Sequence, residues 1–178
     1  MISQLKPALL ALVLTSGLTA CGKSETPPAE RAKADVPAQA PIVALGQTGG
    51  TDGIELTITD VTTPIQVGTT LHGSKAASGE IFVVIGYTMK NVGTKPLSYM
   101  NRPDLILVDA KENSFAQDDS ANVWARFGGE GPSVDATDLN PNVSAKDIRV
   151  WKVDKTAFDQ ATWKVRLDTP SQALFALK

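Results

Sequence analysis

The feature that most restricts the fold of this 178-residue chain is a hydrophobic alternation of period two, repeated in short segments with turn residues between them. In "GIELTITDV" the apolar Ile54, Leu56 and Ile58 alternate with Glu55, Thr57 and Thr59. In "TWKVRLD" Trp163, Val165 and Leu167 alternate with Lys164, Arg166 and Asp168. Successive side chains of a strand leave opposite faces, so this pattern buries one face and wets the other. "EIFVVIGYTMKN" (80–91) is apolar in both phases through its middle, which predicts a central strand covered on both sides, or one that contacts a loop. "NVGTKP" (91–96) ends it, because Gly93 is free to turn and Pro96 cannot continue a ladder. "DLILVD" (104–109), "IRVWKV" (148–153) and "QALFAL" (172–177) bring the count to about seven strands, with "AKENS" as the hairpin turn after the first of these three. No window carries a helix of three turns, and Thr156 to Ala161 is long enough for a single turn only. The residues therefore predict an all-β domain, a sandwich or a barrel.

One segment breaks this rhythm. Residues 116–141, "AQDDSANVWARFGGEGPSVDATDLNP", show no clear strand and read as a long loop. Structureless loops of that length are uncommon inside compact domains and often carry function.

The N-terminus has a different texture. Lys6 precedes the apolar run "PALLALVL" (7–14), and small residues follow up to Cys21, the only cysteine. A basic start, a short apolar run and small residues before a cut describe a secretory signal peptide. The run is far shorter than the roughly 20 apolar residues of a membrane-spanning helix. Leu18-Thr19-Ala20-Cys21 resembles the lipobox of bacterial lipoproteins. That resemblance implies removal of residues 1–20, a diacylglycerol on the Cys21 sulfur and acylation of its new amine, so the bilayer is the first expected partner. More than one acyl chain suits stable anchoring, since a single chain holds only marginally. Gly22, in place of the aspartate of inner-membrane retention signals, points to the outer membrane if the host has two. Residues 21–41 are rich in proline, alanine and mixed charge and read as a disordered tether spanning on the order of 25 Å. The folded domain is expected over 42–178.

"GIELTITDV", "GEIFVVIGYTMKNVGTKPLSY", "DLILVDAKENSF" and "LNPNVSAKDIRVWKV" together resemble a small bacterial domain of unknown function in the immunoprotective-extracellular-protein superfamily. The resemblance runs from Leu45 to Leu177 and is weakest across 116–138. It implies an immunoglobulin-like antiparallel β-sandwich, and no catalytic residues come with it.

Chemistry is sparse. Removing residues 1–20 takes away Lys6 and no acidic residue, leaving 16 basic against 19 acidic side chains. That balance gives no basic stripe for nucleic acid. His72, the only histidine, lies in a Gly/Ser-rich connection, reads as a solvated loop residue, and has no Gly-x-Ser-x-Gly elbow to serve as a general base. No cofactor or zinc set is expected, and Asp118, Asp119, Glu130, Asp135 and Asp138 match no calcium-loop spacing. Trp151 and Trp163 fall in strands and are expected in the core. Trp124, Arg126 and Phe127, in "NVWARFGG", are residue types that anchor interfaces and form the candidate partner-binding group. The expected function is that of a non-enzymatic binding or adaptor module facing an envelope protein. The alternative is an inhibitor of a protease or other envelope enzyme, and a hydrolase would lack its general base.

Overall fold

The computed structural model describes residues 41–50, 52–127 and 137–178. The segments expected as signal peptide and tether, with Cys21, and also Glu130 and Asp135, lie outside the described residues, apart from Pro41. Eleven strands are described: β1 (Ile42–Val43), β2 (Thr48–Gly49), β3 (Ile54–Thr62), β4 (Gln66–Gly68), β5 (Gly73–Lys75), β6 (Glu80–Asn91), β7 (Leu105–Val108), β8 (Ser114–Phe115), β9 (Ser144–Asp154), β10 (Lys164–Leu167) and β11 (Leu174–Ala176). One α-helix, α1 (Asp119–Phe127), lies between β8 and β9.

Two sheets face each other as a β-sandwich. One has the order β1-β11-β10-β7-β8 and the other β2-β3-β6-β9. β4 and β5 form a separate hairpin. Pairing is antiparallel except between β1 and β11, which run parallel. "QALFAL" thus lies inside its sheet, with β1 outside it.

The alternation seen in the sequence becomes the inner core. Ile54, Leu56 and Ile58 of β3, Ile81, Val83 and Ile85 of β6, and Trp151 and Val153 of β9 pack against Leu105, Leu107, Val165, Leu167 and Phe175 of the opposite sheet. Trp163 is buried at one end of this core, stacked on Phe115 at 4.5 Å and edge-on to Phe158 at 5.2 Å. Asn91 pins the turn after β6: its amide donates to the carbonyls of Lys95 and Leu139, and its carbonyl accepts from the Gly93 N–H. The "AKENS" turn is closed by Asp109, whose carboxylate accepts the N–H groups of Lys111 and Asn113. Residues 155–162 form turns held by Asp154 and Asp159.

β6 explains its apolar run. It lies between β3 and β9, and its odd-numbered residues face the inner core. Its even-numbered Phe82 and Val84 belong to a second cluster on the outer face, with Ile148 and Val150 of β9, Val67 of β4, and Ala121 and Ala125 of α1.

Candidate binding face and its supports

The expectation of a structureless segment over 116–141 is corrected by α1. Asp118 caps it, its carboxylate accepting the Ala121 N–H at 2.9 Å while its carbonyl accepts the Asn122 N–H at 2.8 Å. Asp119 in the first turn and Arg126 in the last suit the helix dipole. Ala121 and Ala125, one turn apart, are small enough to let α1 lie close against β6 and β9.

Beside the sheet, α1 also meets the β4–β5 hairpin, whose Val67 joins Ala121 and Ala125 in the outer cluster. Trp124 is half-buried, with its ring stacked on that of His72 at 6.0 Å and an interplanar angle of 23°. Gly68 makes this contact possible. It has φ +80°, and a Cβ there would stand 3.0 Å from the Trp124 Cβ and 2.5 Å from the His72 carbonyl oxygen. His72 is exposed at the hairpin turn, as its sequence context suggests, but it is also a platform for Trp124. Leu71 at the hairpin tip is 88% exposed, Ile65 ahead of β4 is 60% exposed, and Val123 on α1 is 46% exposed.

Arg126 is placed otherwise than the partner-binding expectation required. Its guanidinium is mostly buried, and Nη2 donates to Asp147 at 2.9 Å. The last turn of α1 ends over the buried Asp147, so this arginine is a strut between helix and sheet. The Phe127 side chain lies outside the described residues.

Asp147 is the centre of a charged network. It also accepts from Arg149 Nη1 at 2.6 Å and from the Tyr87 hydroxyl at 3.3 Å. Arg149 continues to Asp104 at 3.1 Å and lies over the Tyr87 ring at 5.6 Å. Burial pushes the Tyr87 phenol well above its usual range. Burial also opposes the Arg149 charge, but Tyr87, Asp147 and Asp104 outweigh it and hold that pKa above its ordinary value. For Asp104, burial is outweighed by hydrogen bonds from Gln117, the Leu105 N–H and Arg149, so its carboxyl titrates below the usual range.

The same residues close an edge. β9 is the outermost strand of its sheet. Its Ile148 N–H donates to Asp147 Oδ1 and its Ile148 carbonyl accepts from Arg149 Nη1. Val150 donates to Asn122 Oδ1 at 2.8 Å and accepts from the Asp118 N–H at 2.9 Å. Side chains and the helix cap thus take the bonds that a further strand would make.

Two of the described acidic residues of the segment serve structure. Asp118 pairs with Lys152 at 3.3 Å, and Asp138 accepts the Tyr99 N–H. Among the described residues, no group of three His, Cys, Asp or Glu side chains could hold a metal ion.

No protein-family model matches the sequence. Over 123 residues, 68% of this chain and 68% of the relative, it is 37% identical to the uncharacterized protein YxkC of Bacillus subtilis (strain 168). The chain belongs to the YxkC family. Three solved structures share its fold. A conserved hypothetical protein from Bacillus anthracis matches with a TM-score of 0.63 at 23% identity, over 74% of this chain and 94% of the other. The yjhA protein from Bacillus subtilis gives 0.53 at 15% identity, over 76% and 99%. A β-sandwich protein from Clostridium difficile gives 0.50 at 11% identity, over 79% and 97%. The β-sandwich of this YxkC-family chain therefore recurs in solved bacterial structures.

Proposed function

We propose that this protein is an exported, lipid-anchored binding module that captures an envelope protein through the face built by α1 and the β4–β5 hairpin, without catalysing a reaction. The observation that carries the reading is the Trp124–His72 stack joining α1 to the hairpin, with the 88% exposed Leu71 next to His72 in the chain. Exposed apolar groups of this kind on a rigid scaffold mark contact surfaces. Trp124 is held in place before any partner arrives, which lowers the ordering cost of binding. The lipobox-like Leu18-Thr19-Ala20-Cys21 supplies the anchor, and Gly22 favours the outer membrane in a two-membrane host. The resemblance to the immunoprotective-extracellular-protein superfamily fits a sandwich that works through its loops. Among the described residues no hydrogen bond reaches the His72 ring, which fits binding better than acid–base chemistry.

Crosslinking of the full-length protein in intact cells, followed by mass spectrometry, tests this reading. A defined envelope protein should be captured by the wild type and lost with Leu71→Ser combined with Trp124→Ala. Capture that survives both substitutions assigns binding to another surface. The projecting Leu71 also fits insertion into an enzyme cleft, the inhibitor alternative. If the captured protein is a hydrolase slowed by this one, adaptor gives way to inhibitor.

A further inference from the structure

Beside the α1–hairpin face the outer surface of the β3–β6–β9 sheet is hollow. The hollow has a volume of about 170 Å³. Val84, Gly86 and Ile148 form its floor, Val67 and Ala125 stand at its wall, and Asp60 and Thr62 are at its side.

Asp60 is there because of a β-bulge. Ile58 pairs with Tyr87, but Asp60, two residues on, pairs with Gly86, so Thr59 is an extra residue in β3. Up to Ile58 the even-numbered residues face the inner core. Without the bulge Asp60 would keep that phase and point a carboxylate among Ile85, Leu107 and their neighbours. After it, Val61 packs against the inner core and Asp60 turns to the outer face. Bulges commonly re-aim a side chain beside a site. Among the described residues, no hydrogen bond or ion pair engages the Asp60 carboxylate.

Gly86 faces Asp60 across the ladder, in the middle of the longest strand. Glycine weakens a strand interior and there often leaves room for a close approach. A Cβ at this position would stand 3.6 Å from the Asp60 Cβ and 3.3 Å from Thr59 Oγ1. An added side chain would therefore begin beside the Asp60 Cβ and occupy the floor of the hollow. Shape and charge coincide: a narrow apolar hollow with one unengaged anion at its side.

We propose that this hollow binds an alkylammonium group, with the ammonium on the Asp60 carboxylate and the Thr62 hydroxyl and the aliphatic stem along Val84, Ile148 and Ala125. A charge-assisted hydrogen bond orients the head, and burial of the methylenes holds the stem. The group could come from a lysine side chain of a protein or from a free small amine. The site is adjacent to the proposed partner face but is tested without any partner.

The test is a chemical-shift titration of the full chain, isotopically labelled and held in detergent, read at the Gly86 and Ala125 amides. Saturable shifts are expected with n-butylammonium, and binding about tenfold or more weaker with the neutral 1-pentanol. Asp60→Asn should weaken n-butylammonium by a similar factor with unchanged thermal unfolding. Gly86→Val should abolish it by filling the floor, and if that variant does not fold, Gly86→Ala should weaken it severalfold. Nα-acetyl-lysine N-methylamide separates the sources. Binding at least as tight as n-butylammonium indicates a protein lysine, and exclusion of this probe while n-butylammonium binds indicates a small amine. Absence of saturable shifts with n-butylammonium, or equal binding by wild type and Asp60→Asn, overturns the inference. Capture through Leu71 and Trp124 that persists in Asp60→Asn leaves the proposed function standing when this inference falls, and the reverse pattern separates them equally well.

Discussion

The two faces of β6 are covered in contrasting ways. Its inner face meets a whole second sheet, and Ile85, Leu107, Val165 and Phe175 lose all exposure to solvent there. Its outer face is covered by a nine-residue helix and a short hairpin, through Ala121, Ala125 and Val67, and part of it stays open as the hollow beside Asp60. The inner face is held by apolar area. The outer face is held by hydrogen bonds and ion pairs at its margins: the Asp118 cap, Asn122 on Val150, and Arg126 on Asp147. This difference lets the covering layer change its surface while the sandwich stays intact.

Substitutions on each side should give unequal responses. Phe175→Ala removes a fully buried ring from the inner core and should cost about 3–5 kcal/mol in denaturant unfolding. A loss no larger than that of an exposed site would mean that the inner face is not the mainstay. Asn122→Ala leaves the Val150 N–H without its acceptor and should cost about 1–3 kcal/mol, with faster hydrogen exchange along β9 but not β10. Exchange rising equally in both strands would erase the distinction between the layers. Asp118→Ala removes the helix cap and should cost about 1 kcal/mol, with far-ultraviolet helical signal reduced and the near-ultraviolet signal of Trp151 and Trp163 retained.

The smallest expected effect is electrostatic and confined to the margin. The Asp104 pKa is lowered in the folded state, so its contribution is present above the unfolded value of about 3.9. It disappears as pH falls through the lower folded value. Asp104→Asn should therefore weaken the protein slightly at neutral pH and flatten the acid limb of its stability profile. An unchanged acid limb would show that the network with Arg149 does not contribute this way.

These contrasts also explain what could be read from the residues. The inner face was legible because burial on one side of a strand writes a period of two, as in β3 and β10. "EIFVVIGYTMKN" showed a doubly covered strand from its apolar phases, although what covered the second face had no comparable pattern. α1 hides because its buried stripe is two alanines and an asparagine, residues that add little hydrophobic signal. The signs that were present, Asp118 before the helix and Gly128-Gly129 after it, are the same residue types that mark loops. The short β1, β2, β4, β5 and β8 contain two or three residues each, too few to display a period. The bulge is a change of phase at Asp60-Val61, visible in sequence only once the pairing partner is known. Arg126 reads as an interface anchor by residue type, and its pairing with Asp147, 21 positions on, leaves no local sign in the sequence.

The closed edge of β9 bears on crowding. Copies held by lipid anchors, as proposed, share a plane and meet in a limited range of orientations, so their effective concentration is high even when few are present. An unoccupied strand edge under such conditions invites one copy to extend the sheet of the next. Here that path is obstructed midway along β9 from within each molecule, by Asp147 and Arg149 on Ile148 and by Asp118 and Asn122 on Val150. At this edge, a dense layer of such molecules would meet an obstacle to strand-by-strand growth into a fibre.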